Sequence, residues 1–349
     1  MVASPVCLNP FSWCEVHHDG SLFSCCPAWI GRPLGNLLQN SFTAVWNGPR
    51  AEAIRAAILD GSFRHCNRRR CPHLAGSEPP VVPLSAVTAP RLRAALEQGE
   101  THLPFGPSRF NLCYDRSCNL ACPSCRPAAT IARGPELERV HAIHQRLLPQ
   151  LAASAEELRL CGSGEPFASP VLRPFLATLQ ADDFPSLRRI HLHSNGQLWT
   201  PAAWQELAAV HPLVQSAEIS VDAGSAATYR LNRGGDWGRL QENLRFIASL
   251  GIELKLSCVV QANNFRELPA LVALARSLGA GAYLSQLVDW RVLERPDYLS
   301  RAVHLPQHPL HRELCQVLAG LGPAADLDLG NLAPLAAPEN SLQPGPGPC

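Results

Sequence analysis

The sequence has no excess charge of either sign: 30 Lys and Arg stand against 29 Asp and Glu, a formal net charge of +1 over 349 residues. That balance excludes a strong electrostatic hold on nucleic acid or on an anionic membrane. There is no run of about eighteen apolar residues, so no membrane-spanning helix is expected. The opening MVASPVCLNPF lacks both the basic start and the long apolar stretch of a secretory signal. A cytoplasmic chain is expected, in a compartment where disulfides rarely persist.

What is abundant is cysteine. Ten of the 14 cysteines fall before residue 126, and clustered thiols in a reducing compartment point to metal ligation or catalysis. Cys161, Cys258 and Cys315 sit among apolar residues and read as small buried hydrophobes. Cys349 closes a Pro- and Gly-rich stretch that reads as disordered. The 46% apolar content suffices for a sizeable core, in one large domain or two smaller ones.

Residues 1–74 are rich in cysteine and poor in periodicity. HHDGSLFSCC suggests strand, turn and strand, with Gly20 at the bend. SFTAVWNGPRAEAIRAAILDG reads as a helix, with Ala44, Val45, Ile54, Ile58 and Leu59 on its apolar face. Prolines crowd residues 75–107 around one short helix, RLRAALEQG, as in a linker or wrapping segment. From residue 108 short apolar strands alternate with amphipathic helices. Strands are expected near 109–114, 157–161, 189–193, 217–221, 253–260 and 281–288. One intervening helix places Val140, Ile143, Leu147 and Leu151 on a single side. Alternation of this kind implies parallel strands with right-handed crossovers, six units against the eight of a full barrel.

Directly after the first of these strands comes RSCNLACPSCR, with Cys118, Cys122 and Cys125. Zinc usually takes four protein ligands and a [4Fe-4S] cluster four thiolates. Three thiolates leave one iron with an open position. The spacing C-x3-C-x2-C after a first strand resembles the signature of the radical S-adenosylmethionine (radical SAM) superfamily. The resemblance implies that the three thiolates hold the cluster while S-adenosylmethionine chelates the fourth iron. It further implies reductive cleavage to a 5′-deoxyadenosyl radical that abstracts hydrogen from a substrate.

Later strand ends extend the likeness. LCGSGEPF resembles the family's Gly-Gly-Glu-Pro stretch, with Ser163 in place of the first glycine, then Gly164 and Glu165. HLHSNGQL carries Ser194 where relatives have threonine. ISVDAGSAATYRLNRGG offers Ser220, Asp222 and Arg233, and CVVQANN offers Val260 and Gln261. By resemblance Glu165 meets the cofactor's amino group, Arg233 its carboxylate, and Val260 with Gln261 the adenine region. Many members have an aromatic residue before the third cysteine; here it is Ser124. Each motif also reads as ordinary strand-end loop chemistry when taken alone. Trp199 and Tyr283 are core or substrate-wall candidates.

The N-terminal cysteines resemble a SPASM or twitch module, which carries an auxiliary cluster. Cys7, Cys25, Cys66 and Cys71 would fill a second [4Fe-4S] cluster by that likeness. Cys26 rivals Cys25, since adjacent strand residues point opposite ways, and Cys14 reads as a strand residue. Zinc remains an alternative at this site. In most relatives the module follows the barrel; here it precedes it. Arg68, Arg69 and Arg70 form a cationic patch that could tune the cluster or dock an acidic electron donor, or simply be a solvated loop.

The expected class is therefore α/β: a partial (β/α)6 TIM-type barrel with a small N-terminal cysteine-rich cluster-binding domain. Its expected stretches are an auxiliary cluster domain over 1–80, a Pro-rich linker over 81–107, a radical SAM core over 108–322 and a disordered tail over 323–349. The expected substrate is a peptide or protein, with a small metabolite or sugar as the alternative. An electron donor such as flavodoxin or ferredoxin is implied. A non-catalytic iron–sulfur electron carrier and a zinc-binding interaction protein are the other classes open to the sequence.

Overall fold

The structure is a computed structural model. It describes residues 5–68, 71, 73–74, 80–160 and 163–336. The chain divides into two compact units. The first comprises Met1–Cys118, Ile131–His193 and Gln205–Gln215; the second comprises Asn119–Thr130, Ser194–Trp204 and Ser216–Cys349.

The first unit begins with β1 (Val6–Cys7), α1 (Asn9–Ser12), β2 (Trp13–His17) and β3 (Ser21–Phe23). There follow α2 (Pro27–Ile30), β4 (Gly35–Asn36), α3 (Phe42–Trp46), α4 (Pro49–Leu59), β5 (Val81–Val82) and α5 (Pro90–Gln98). The alternating region contributes β6 (Arg109–Cys113), α6 (Gly134–Ser154), β7 (Glu157–Leu160), α7 (Leu172–Thr178) and β8 (Arg189–Ser194). Strands β2, β6, β7 and β8 pair in parallel, in that order. β3 and β4 add to β2 in antiparallel fashion, and β1 pairs with β5. The N-terminal cysteine-rich segment thus extends the same sheet that the alternating region begins.

Register explains why. Cys14 and Val16, Phe110 and Leu112, Leu158 and Leu160, and Ile190 and Leu192 lie in register on one face, nearly all of them without solvent exposure. Trp13, Glu15, His17, Arg109, Asn111, Glu157, Arg159 and His191 occupy the other face. Phe42 covers the apolar face, its ring 6.3 Å from that of Phe110. Each such aliphatic side chain removed from water contributes about 1.5–3 kcal/mol. Val140, Ile143, Leu147 and Leu151 of α6 are buried together, as their spacing requires. Cys14 is a buried strand residue.

The turn between β2 and β3 needs Gly20. Its φ is +82°, and a Cβ there would stand 2.8 Å from Asn36 Oδ1. The helix expected across residues 41–61 is two helices, α3 and α4. Gly48 is extended there and Pro49 opens the second helix, so the first cannot continue through them. Ala44 is exposed, whereas Val45, Ile54 and Ile58 are buried. Arg55, fully buried, donates to the carbonyls of Pro10, Trp46 and Thr101 and to Asn47 Oδ1 at 2.8–3.0 Å. With Trp46 Nε1 donating to Phe105 O, it holds part of the proline-rich segment against α3 and α4. Arg68 donates to Ser62 O; Arg69 and Arg70 lie outside the described residues.

The second unit contains α8 (Pro201–Gln205), most of β9 (Val214–Ser220), α9 (Ala226–Arg233), α10 (Trp237–Ala248) and β10 (Glu253–Val260). It continues with α11 (Leu268–Ser277), β11 (Gly281–Gln286), α12 (Arg295–Arg301), α13 (His311–Leu321) and β12 (Leu327–Asp328). β9, β10, β11 and β12 are parallel neighbours. All six strands read from periodicity form, and the mixed α/β class with parallel strands joined by helices is the observed one. Trp199 and Cys258 are buried, while Cys315 is half-buried; Cys161 and Cys349 lie outside the described residues.

Part of the stretch expected to be a tail is structured. β12 pairs with β11, Leu332 is fully buried, and Asn331 Oδ1 accepts the Gln286 N–H at 2.9 Å. An open strand edge and one apolar anchor outweigh the proline-rich composition there. Among the described residues, no helix is long and apolar enough to cross a membrane.

Candidate functional site

In the first unit the chain leaves β6 through Tyr114 and Asp115 into Ser117 and Cys118. Asp115, Ser117 and Cys118 are all buried. Asp115 folds this exit: Oδ1 accepts the Ser117 N–H at 2.8 Å, and Oδ2 accepts a short hydrogen bond from Ser169 Oγ. Ser117 Oγ accepts the Ala132 N–H at 2.9 Å. The SGEP loop after β7 is tied to the same exit. Ser163 Oγ donates to Cys113 O at 2.5 Å, and Glu165 N–H donates to Ser117 O at 2.7 Å. Ser163, which stands where the resembled motif has glycine, therefore latches the loop to β6, the strand that leads into Cys118.

Gly164 lies between the two loops. A Cβ there would stand 2.3 Å from Asp115 O and 2.9 Å from Ser117 O. Backbone carbonyls cannot rotate away as a side chain can. Gly164→Ala is expected to cost about 3 kcal/mol, the upper end of overpacking. Urea unfolding of the two proteins measures it, and an unchanged midpoint would show that the loops are not in contact. Glu165 is buried, and its Oε1 accepts the Phe167 N–H at 3.2 Å.

The second unit holds Cys122 and Cys125. Cys125 N–H and Arg126 N–H both donate to Cys122 O, at 2.8 and 3.0 Å, closing a tight turn. Cys122 is buried, its Sγ 3.7 Å from Arg233 O. Arg233 Nη1 lies 3.0 Å from Asp222 Oδ2. Burial opposes the Arg233 charge, but Cys122, Asp222 and Tyr229 outweigh it, and its pKa lies above the usual arginine value. Asp222 takes a positive φ of 56°. It is held there because its Oδ1 accepts Val259 N–H at 2.7 Å and its carbonyl accepts from Asn232 and Asn264.

Ser220 Oγ lies 3.5 Å from Ser257 Oγ. Ser194 Oγ accepts the Gly196 N–H, and Asn195 donates to Asn119 beside the cysteine turn. Val260 ends β10 fully buried. Two buried polar atoms here, Arg233 Nε and Gln261 Oε1, have no hydrogen-bond partner among the described residues. An unsatisfied cationic donor and an unsatisfied carbonyl suit a ligand carrying a carboxylate and an amino-substituted ring. The residues thus fit S-adenosylmethionine.

The remaining cysteines belong to the first unit. Cys7, Cys25 and Cys66 are all pushed up by burial, Cys7 to about 12 and Cys66 to about 11. Electrostatic interaction links Cys7 with Cys66 and Cys71, Cys66 with Cys71, and Cys25 with Cys7 and Cys26. Cys26, pushed up to about 11 by burial, lies nearer Glu15 and Cys71 and lines a cavity of about 550 Å³ with Glu15, Trp13 and Trp29. Among the described residues no three His, Cys, Asp or Glu side chains converge on one point as ligands of a single ion do. A cubane takes one thiolate at each iron, so its thiolates surround a body instead of a point. Four linked thiols, Cys25 and Cys71 buried and Cys7 and Cys66 half-buried, fit that donor set.

The SPASM iron–sulfur cluster-binding domain family matches residues 7–72, an interval that runs from Cys7 to just past Cys71. GTP 3',8-cyclase of Synechococcus sp. (strain WH7803) is 31% identical over 241 residues, covering 60% of this chain and 67% of that one. The chain belongs to the radical SAM superfamily. The AdoMet-dependent heme synthase of Methanosarcina barkeri (strain Fusaro / DSM 804) is 28% identical over 169 residues, 48% of this chain and 46% of the relative. The chain thus spans less than half the length of that relative. A solved structure of Streptococcus suis SuiB bound to S-adenosylmethionine aligns at a TM-score of 0.47 and 14% identity, over 70% of this chain and 57% of the other. Membership implies a [4Fe-4S] cluster and S-adenosylmethionine as cofactors, and the match over residues 7–72 is to an iron–sulfur cluster-binding domain.

Sequence reading missed the residues that hold the motifs in place: Asp115, Ser117 and Ser169 in the first unit, Asn232 and Asn264 in the second. Only Asp115 left a local signal, an Asp two residues before Ser117 as in an Asx turn.

Proposed function

We propose that this radical SAM enzyme modifies a peptide or protein by abstracting hydrogen from an unreactive C–H bond. When bound, the cluster and S-adenosylmethionine supply one-electron cleavage of the sulfonium, which yields the abstracting radical. Cys118, Cys122 and Cys125 would hold that cluster, leaving one iron to the cofactor. Glu165, backed by Ser163 and Gly164, would receive the cofactor's amino group. Arg233, oriented by Asp222, would pair with its carboxylate. Gln261 would accept from the adenine, with Val260 and the Ser194 and Ser220 loops as walls. Cys7, Cys25, Cys66 and Cys71 would hold the auxiliary cluster, Cys25 being favoured over Cys26 because it neighbours Cys7. An external one-electron donor of the flavodoxin or ferredoxin kind would supply the reducing equivalent.

The observation that carries the peptide reading is the loop after β11. Trp290 is 67% exposed there, flanked by exposed Val288 and Val292. It leaves the same strand end as Asp222 and Val260, the end at which parallel α/β proteins build their sites. Exposed aromatic and β-branched side chains offer stacking and apolar contact to a peptide. The match to GTP 3',8-cyclase supports a second reading, a small-molecule substrate such as a nucleotide.

Anaerobic incubation with dithionite, S-adenosylmethionine and either a candidate peptide or GTP separates them. Formation of 5′-deoxyadenosine with a changed peptide mass is expected, and consumption of GTP with an unchanged peptide overturns the peptide reading. Iron analysis of the same protein should give about eight irons per chain, not about four.

A further inference from the structure

Between Cys7 and Cys25 stands a residue that the motifs did not mark. The backbone N–H of Asn9 reaches the Cys7 sulfur. Its side-chain Nδ2 lies 3.7 Å from Cys25 Sγ. Its other side-chain polar atom, Oδ1, accepts a hydrogen bond from Arg109 Nη2 at 3.0 Å. The same guanidinium nitrogen reaches Ser12 Oγ at 3.1 Å, and Arg109 Cζ lies 5.5 Å from the Trp13 ring centroid. Asn9 itself is buried.

The charges around Arg109 are unusual. Both hydrogen-bond partners found for it are neutral, and Arg159 nearby adds a like charge, with Glu156 and Glu157 as the nearest acids. Burial lowers its pKa, while Glu157 first, then Cys7 and Glu156, support the charge. A half-buried cation linked through Asn9 to the Cys25 sulfur, with no carboxylate bonded to it among the described residues, is stabilised by further negative charge nearby. Four thiolates around an iron–sulfur cube would supply it.

We infer that Arg109 and Asn9 hold the reduction potential of the auxiliary cluster above the value its four thiolates alone would set. This rests on the reading that Cys7, Cys25, Cys66 and Cys71 are its ligands. Reduction adds negative charge to the cluster. A nearby cation and N–H groups aimed at ligand sulfur stabilise the more negative state, and both raise the potential. Arg109 comes from the first strand of the alternating region and Asn9 from the cysteine-rich segment, so the pair forms only when β2 and β6 are in register. The two are positioning residues: neither need touch substrate. Their effect favours electron uptake by the auxiliary cluster.

The test is an EPR-monitored redox titration of anaerobically purified protein. C66A identifies the auxiliary signal by its loss, and the other cluster serves as internal reference. R109Q is expected to lower the auxiliary midpoint by about 59 mV, a roughly tenfold shift in a one-electron equilibrium. N9S should lower it in the same direction, and R109K, which keeps the charge, should restore most of the shift. If R109Q does not load its second cluster, N9S decides by the same reading. Two loaded clusters with an unmoved auxiliary midpoint in R109Q and N9S overturn the inference. A wild-type chain with about four irons and one signal overturns the ligand assignment instead.

Discussion

Cys122→Ala is expected to reduce 5′-deoxyadenosine formation to background in anaerobic assays with dithionite and S-adenosylmethionine. Cys122 sits at the centre of its loop: its carbonyl accepts both N–H groups of the following turn, and its buried sulfur lies beside the backbone of Arg233. As a thiolate it would be stabilised by the Arg233 guanidinium, whose charge it in turn supports. Loss of an outer-shell partner typically lowers metal affinity or activity by about 10–100-fold. Loss of one of only three thiolates leaves an iron without a protein ligand, and a larger effect follows. Iron content should fall in the same preparation. Undiminished 5′-deoxyadenosine from the variant would show that this cysteine loop does not carry the catalytic cluster.

The second large effect is expected at Arg233. Its pair with Asp222 is nearly closed to solvent, with side-chain exposures of 14% and 4%. Arg233→Ala leaves the Asp222 carboxylate buried without its cation, and breaking a buried pair from one side costs about 3–5 kcal/mol. Asp222→Asn should cost less, because a carboxamide oxygen can still accept the Val259 N–H that Asp222 Oδ1 accepts at 2.7 Å. Chemical denaturation separates the two variants. A KM for S-adenosylmethionine measured in Arg233→Lys tests the cofactor role, since an ammonium keeps the charge but loses the fork that matches a carboxylate. Equal stability of wild type and Arg233→Ala would show that the pair is not formed in solution.

Much of the fold was legible because it is local. Short apolar stretches alternating with amphipathic helices marked β6 through β11, and the observed Arg109–Cys113 and Glu253–Val260 differ from the reading by a residue at most. The helix over residues 41–61 was read as continuous because its apolar spacing survives the break. Gly48 and Pro49 stop it through backbone geometry that hydrophobic spacing does not register. The proline-rich tail was read from composition, which says nothing of an edge strand waiting for a partner. At the site, Ser163 looked like a departure from the family. In the structure it is a latch onto Cys113 O, something its own neighbourhood in sequence could not reveal.

The sequence by itself determined which chemical groups this chain brings to the ends of its strands: three cysteines, an SGEP turn, an SVDAG strand end and an early set of thiols. Those are matters of spacing along the chain. Only the tertiary structure decided which of them touch, and what holds them. Asn9 meets Cys25 across 16 residues, Asp115 meets Ser169 across 54, and Arg109 meets Asn9 across 100. Such contacts depend on which strands pair and in what register, and register is set by the burial of one whole apolar face at once.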